Sequence, residues 1–144
     1  MIESIEEFER IAGIFGCKIE WIDIDMGVYG ECIEYYGAFD IDRMVIELIP
    51  LEDIAYLNQV FVHELAHYVD IIENEHPDRR DIDGEVIAHA VEHIIANNES
   101  IEGIIEYVEE PIREVYEFDE EVRIDENDIV EVAERVRVIV ENMG

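Results

Sequence analysis

The segment His63-Glu64-Leu65-Ala66-His67 places two imidazoles and a carboxylate at a spacing that suits metal chemistry. On a helix, residues four apart sit one turn apart, about 6 Å along the axis and on one face. Two imidazoles so placed converge on a tetrahedral zinc ion at about 2.0–2.1 Å each. Glu64 projects roughly 100° away from His63 and makes a poor third ligand. It is placed instead to take a proton from a water in the open fourth position. The surroundings mark a buried helix: from Ala55 to Val69 the only Asp, Glu, Lys or Arg is Glu64, in a chain that is 33% charged. Polar groups in such a setting cost several kcal/mol if unpaired, and a metal ion offers the compensation. Two plainer readings stand beside this one. The histidines pair with some of the many acids, or the metal site is structural or degenerate.

The elements that position this helix follow from periodicity and punctuation. Residues 2–15 carry Ile5, Phe8, Ala12 and Phe15 at helical spacing, and Gly16 ends that helix. Strands are expected at Lys18–Asp25, Glu31–Phe39 and Met44–Ile49, the last two joined by a polar turn at Asp40–Arg43. Asp53 caps the next helix, which carries the histidines and runs to about Ile72. Glu73–Asp83, with Pro77, reads as a loop, and residues 84–97 as a second helix. Ser100 or Asn98 caps a short helix through Val108, and Pro111 interrupts. A last helix opens at Asp125 or Asn127 and buries Ile129, Val132, Val136, Ile139 and Val140. This order indicates one α+β domain over residues 1–144. Cys17 and Cys32 fall on neighbouring expected strands and read as buried free thiols rather than a disulfide.

The run Val60-Phe61-Val62-His63-Glu64-Leu65-Ala66-His67-Tyr68-Val69 resembles the active-site helix of zincin metallopeptidases. Asp70 and Glu73 stand where metzincins carry Gly and His, so the likeness is to gluzincins, which take a third ligand from a Glu on the following helix. Glu85, in Gly84-Glu85-Val86-Ile87-Ala88, fits that position and also resembles the second-helix motif of the ImmA/IrrE family. The resemblance implies a zincin-like fold, in which a small mixed or antiparallel sheet packs on the His-bearing helix and further helices follow. It implies a zinc metalloendopeptidase with Zn2+ held by His63, His67 and Glu85, with Glu64 as catalytic base and a peptide or protein as substrate. Ala88 then lets the two helices approach closely. His76, Asp83 and His89 are rival third ligands. His89 and His93 share a side with Glu85 and are either supporting groups or solvated, and Asp70 either orients an imidazole or faces water. In zincins the strand before the active-site helix is the sheet edge that holds extended substrate, here Met44–Ile49; a plain core strand is the alternative. Tyr107, Arg113, Tyr116, His89 and His93 are candidates for stabilising an oxyanion.

Charge excludes several partners. Asp plus Glu number 39 and Lys plus Arg nine, a net charge of −30, and Lys18 is the only lysine. Such a chain does not bind nucleic acid directly, nor an anionic membrane, because like charges repel. No apolar run approaches a membrane span, and the acidic start MIESIEEFER does not resemble an export signal, so a cytoplasmic setting is expected. An acidic, lysine-poor surface suits a salty, halophilic cytoplasm, where screening weakens self-repulsion. Two functions of other classes remain open: a zincin-fold regulatory or binding module without turnover, and an acidic decoy imitating nucleic acid. Salt adaptation predicts that the melting midpoint rises from low to molar KCl. A flat or falling midpoint, in KCl and in a second salt that controls for anion effects on apolar burial, counts against it.

Overall fold

The computed structural model describes residues 5–14, 16–21, 37–40, 42–48, 54–79, 82–116 and 121–142. The chain is mixed α+β, and its described residues form five α-helices and a small three-stranded sheet. Helix α1 (Ile5–Ile14) buries Phe8, Ile11 and Ala12. It ends as its Gly predicts: Gly16 takes φ +76, Gly16 N donates to Gly13 O at 3.1 Å, and Cys17 N donates to Ala12 O at 3.0 Å. Those two bonds satisfy carbonyls that the helix end would otherwise orphan.

Strand β1 (Lys18–Trp21) leads away from α1, and Trp21 Nε1 donates to Glu9 Oε1 at 2.9 Å across the pair. Strands β2 (Gly37–Asp40) and β3 (Val45–Leu48) form an antiparallel hairpin, and β1 runs parallel to β3 on its other side, giving the order β1-β3-β2. The hairpin turn is held by Asp40 Oδ1, which accepts from Asp42 N and Arg43 N, and by Met44 at φ 52. The expectation that Met44–Ile49 offers a substrate edge is overturned. Among the described residues β3 is the central strand, its hydrogen bonds used on both sides, and Val45, Ile46 and Leu48 are buried. Its high apolar content, which suits a strand covered on both faces, was the available signal. Residues 22–25 and 31–36 of the expected strands, and Cys32, lie outside the described residues.

Helix α2 (Ile54–Tyr68) carries the two histidines and passes without a break into a π-helical turn, Val69–Glu73. Asn74 N donates to Val69 O at 2.8 Å and closes the wide turn. Helix α3 (Ile82–Ala96) begins two residues before the expected position and packs on α2, α4 and α5. Helix α4 (Ile104–Tyr116) corrects another expectation, for it runs through Pro111. Its buried stripe, Ile104, Val108 and Ile112, continues across the proline, which sits on the exposed side. The carbonyl deprived of its partner belongs to exposed Tyr107, where water can replace the missing N–H. Ser100 Oγ accepts from Glu102 N at 3.2 Å, so it closes the turn before α4 rather than the helix itself.

Helix α5 (Glu126–Asn142) opens with reciprocal bonds: Asp128 N donates to Asp125 Oδ1 at 3.2 Å, and Asp125 N to Asp128 Oδ2 at 3.0 Å. All five of its expected core residues are buried. The core runs from Phe8 and Phe61, ring centroids 5.0 Å apart, through the α2–α3 interface to α5. Among the described residues no helix is long and apolar enough to cross a membrane. Because packing, not local preference, carries α4 past its proline, Pro111→Ala is expected to restore one backbone hydrogen bond. Thermal or urea unfolding should show a gain of about 1–3 kcal/mol.

Candidate metal centre

The α2–α3 interface is apolar along most of its length. Phe61, Val62, Leu65 and Ala66 on α2, and Val86, Ile87, Ala88, Ala90 and Val91 on α3, are all buried. Ala88, one turn after Glu85, is among the wholly buried residues, as close helix approach requires. Within this interface His63, His67 and Glu85 converge, each offering one atom within 4.8 Å of the others. His67 Nε2 lies 3.2 Å from Glu85 Oε1, and His63 Nε2 lies 3.6 Å from Glu85 Oε2. Donors bound to one tetrahedral zinc at 2.0–2.2 Å stand about 3.3–3.5 Å apart, so these separations match a metal set. Glu85 Oε2 is buried and makes no hydrogen bond, although His63 and His89 nitrogens lie 3.6 and 3.5 Å away. Lone pairs that converge without bonding one another fit an ion at their centre, and His, His and carboxylate suit zinc.

Electrostatics agrees. Burial alone would lower the His63 pKa, but the carboxylates of Glu85, Glu92 and Glu64 around it push it up to about 10. Burial would raise Glu85, but contacts with His63, His67 and His89 hold its carboxyl far below the usual range. Protons and a metal ion would compete for these donors, so metal uptake at the cluster would depend on pH. Glu64 is 6% exposed, and its Oε1 lies 4.0 Å from His63 Nε2, beside the cluster rather than within it. Burial raises its pKa, opposed by the charges of His63 and His67. A carboxylate made more basic in this way is suited to accept a proton.

Glycine and arginine fix the approach of α3. A Cβ on Gly84 would lie 2.1 Å from the carbonyl oxygen of Arg79, so the loop before α3 seats directly against the glycine that precedes Glu85. Arg79 bridges Asp70 Oδ1 at 2.8 Å and Asp128 Oδ1 at 3.4 Å, tying the π-helical turn to α5. Asp70 is thus the partner of Arg79, and the expectation that it orients an imidazole gains no contact among the described residues. Asp83 points away from the cluster and accepts from Arg123 N at 2.8 Å. His76 lies in the loop and does not join the donor set. His93 lies 2.6 Å from Glu99 and packs edge-on to Tyr107 at 5.4 Å, while Arg113 is paired with Glu109. The side chain of Tyr116 lies outside the described residues.

Glu92 escaped the sequence reading. Its Oε1 lies 3.3 Å from His63 Nδ1, where it orients the ring so that Nε2 faces Glu85. Its spacing of seven from Glu85, two turns along the same face, was the available signal, but nothing in a chain with 39 acidic residues set it apart. Comparison with known proteins adds no family: no family model, no curated protein and no solved structure matches the chain. For the His63–His67–Glu85 set, protein freed of metal and titrated with zinc is expected to bind one ion tightly. His67→Ala or Glu85→Ala should weaken that tight site at least about tenfold, and His76→Ala should leave it unchanged, as read by competition with a chromophoric chelator.

Proposed function

We propose that the chain is a zinc metallopeptidase of zincin-like, gluzincin type, acting on peptide or protein substrates. The observation that carries this reading is the convergence of His63, His67 and Glu85 with Glu64 buried beside them. The element order supports it: sheet, His-bearing helix, then a helix that supplies the acid. A zinc ion held by His63, His67 and Glu85 would supply Lewis acidity and make water easier to deprotonate. Glu64, with its pKa raised, takes the proton of the attacking water and returns it to the leaving amine. Glu92 keeps His63 facing the ion, and His67 is fixed by its place one turn along the same helix. The buried thiol of Cys17, its pKa raised by burial, fits a reducing cytoplasm.

Glu64→Gln keeps the size of the side chain and removes the base. It is expected to retain zinc and melting temperature while losing cleavage of a mixed peptide library by about 10²–10⁴-fold. Metal-loaded wild type that cuts nothing at low or high salt would favour a binding or regulatory module. A Gln variant as active as wild type would remove Glu64 from the mechanism.

A further inference from the structure

The α2–α3 interface holds more donors than one ion needs. Glu85, His89 and Glu92 recur at +4 and +3 on α3 and share one face, opposite His63 and His67 on α2. A tetrahedral zinc with an open position uses three of these five side chains. Of the other two, Glu92 lies at the far nitrogen of His63 and His89 lies beside its ring. Glu92 Oε1 lies 3.3 Å from His63 Nδ1, and the His89 ring stands edge-on to His63 with centroids 4.5 Å apart. His63, His89 and Glu92 each offer one atom within 4.8 Å of the others. His89 Nε2 is buried without a hydrogen bond, 3.5 Å from Glu85 Oε2, so its lone pair is open to an ion between the two helices.

We propose that His63, His89 and Glu92 form a second divalent-metal site beside the first, with His63 shared between them. Two imidazoles and a carboxylate make it a site for zinc or a similar transition ion rather than for calcium or magnesium. His63 serves the first site through Nε2 and the second through Nδ1. A neutral imidazole has a single ring lone pair, so either site alone takes His63 as it is. Filling both requires His63 to release its remaining ring proton to solvent and bridge the two ions as imidazolate. The second ion therefore binds more weakly than the first. This inference does not depend on the peptidase reading, since neither His89 nor Glu92 is assigned a part in cleavage by direct contact with substrate.

The test is zinc stoichiometry by equilibrium dialysis and metal analysis, with cobalt absorption reporting coordination and circular dichroism reporting fold. Wild type is expected to take up two ions per chain, the second at higher free zinc. Glu92→Gln and His89→Ala should each take up one. The double variant His67→Ala/Glu85→Gln, which lacks the first site, should still take up one, and adding Glu92→Gln should remove it. A folded double variant that binds no zinc overturns the second site and leaves the first intact. An ion in the double variant that survives both Glu92→Gln and His89→Ala also overturns it. Wild type that binds no zinc sinks both sites together.

Discussion

Six ionisable side chains, Glu64 among them, have to be accommodated where α2 packs on α3, in an interface otherwise lined largely by Val, Ile, Leu, Ala and Phe. Isolated charges do not survive in such a place, and pairs survive only when their remaining donors and acceptors are also met. The chain meets this by opposing sign: two imidazoles on one helix against two carboxylates and a third imidazole on the other. The pairing is incomplete, because Glu85 Oε2 and His89 Nε2 remain without hydrogen bonds. A cluster packed in this way yet unsatisfied at its centre could hold an ion. That residual capacity separates a metal centre from a buried salt bridge of the same residues.

Precise opposition of the two helices depends on what happens at their ends. The π-helical turn after His67 widens the helix there, and Asp70 within it is almost wholly buried, against Arg79. Arg79 also reaches Asp128, one of the two aspartates that open α5. Its carbonyl meanwhile occupies the space beside Gly84 that any other residue would fill with a Cβ. A second arginine, Arg135, makes two bonds to Glu73 at 2.7 and 3.2 Å, so α5 grips the same turn from another point. Arg79 and Arg135 thereby tie the exit of α2 to α5, and the Arg79 carbonyl seats the entry of α3 by close packing. Two of the nine cations, Arg79 and Arg135, thus sit where they help set the register of the donor-bearing helices.

Against this background it is clear why some of the structure was legible in the sequence. The two histidines of the first cluster obey a local rule, four apart on one helix, and an almost uncharged window in a highly charged chain marks that helix as buried. Gly16 and the Asp125–Asp128 pair likewise act within a few residues of themselves. What stayed hidden depends on distant partners. Glu92 is one of many acids until α3 lies against His63, and Asp70 looks like a neighbour of His67 until the wide turn carries it to Arg79. Pro111 stops a helix by local preference, but three buried side chains outweigh it. Val45–Leu48 reads equally as edge or centre until β1 closes its second side.

The acidic surface and the buried centre act on cations by different physics. A net charge of −30 raises the local concentration of any cation, but that attraction is unselective and fades within about 8–10 Å at moderate ionic strength. In a salty setting potassium and magnesium would saturate such a surface, and charge alone would fill the centre with the commonest ion. Imidazole donors change the outcome, because nitrogen ligands favour zinc and its transition-metal neighbours over hard cations that prefer an all-oxygen shell. A centre made only of the abundant acids would have been easier to assemble from this composition and unable to discriminate. Three of the chain's five histidines, His63, His67 and His89, are placed instead on the two facing helices. Selectivity at the proposed metal centre thus rests on the scarce residue, held in an interface from which the plentiful one is largely excluded.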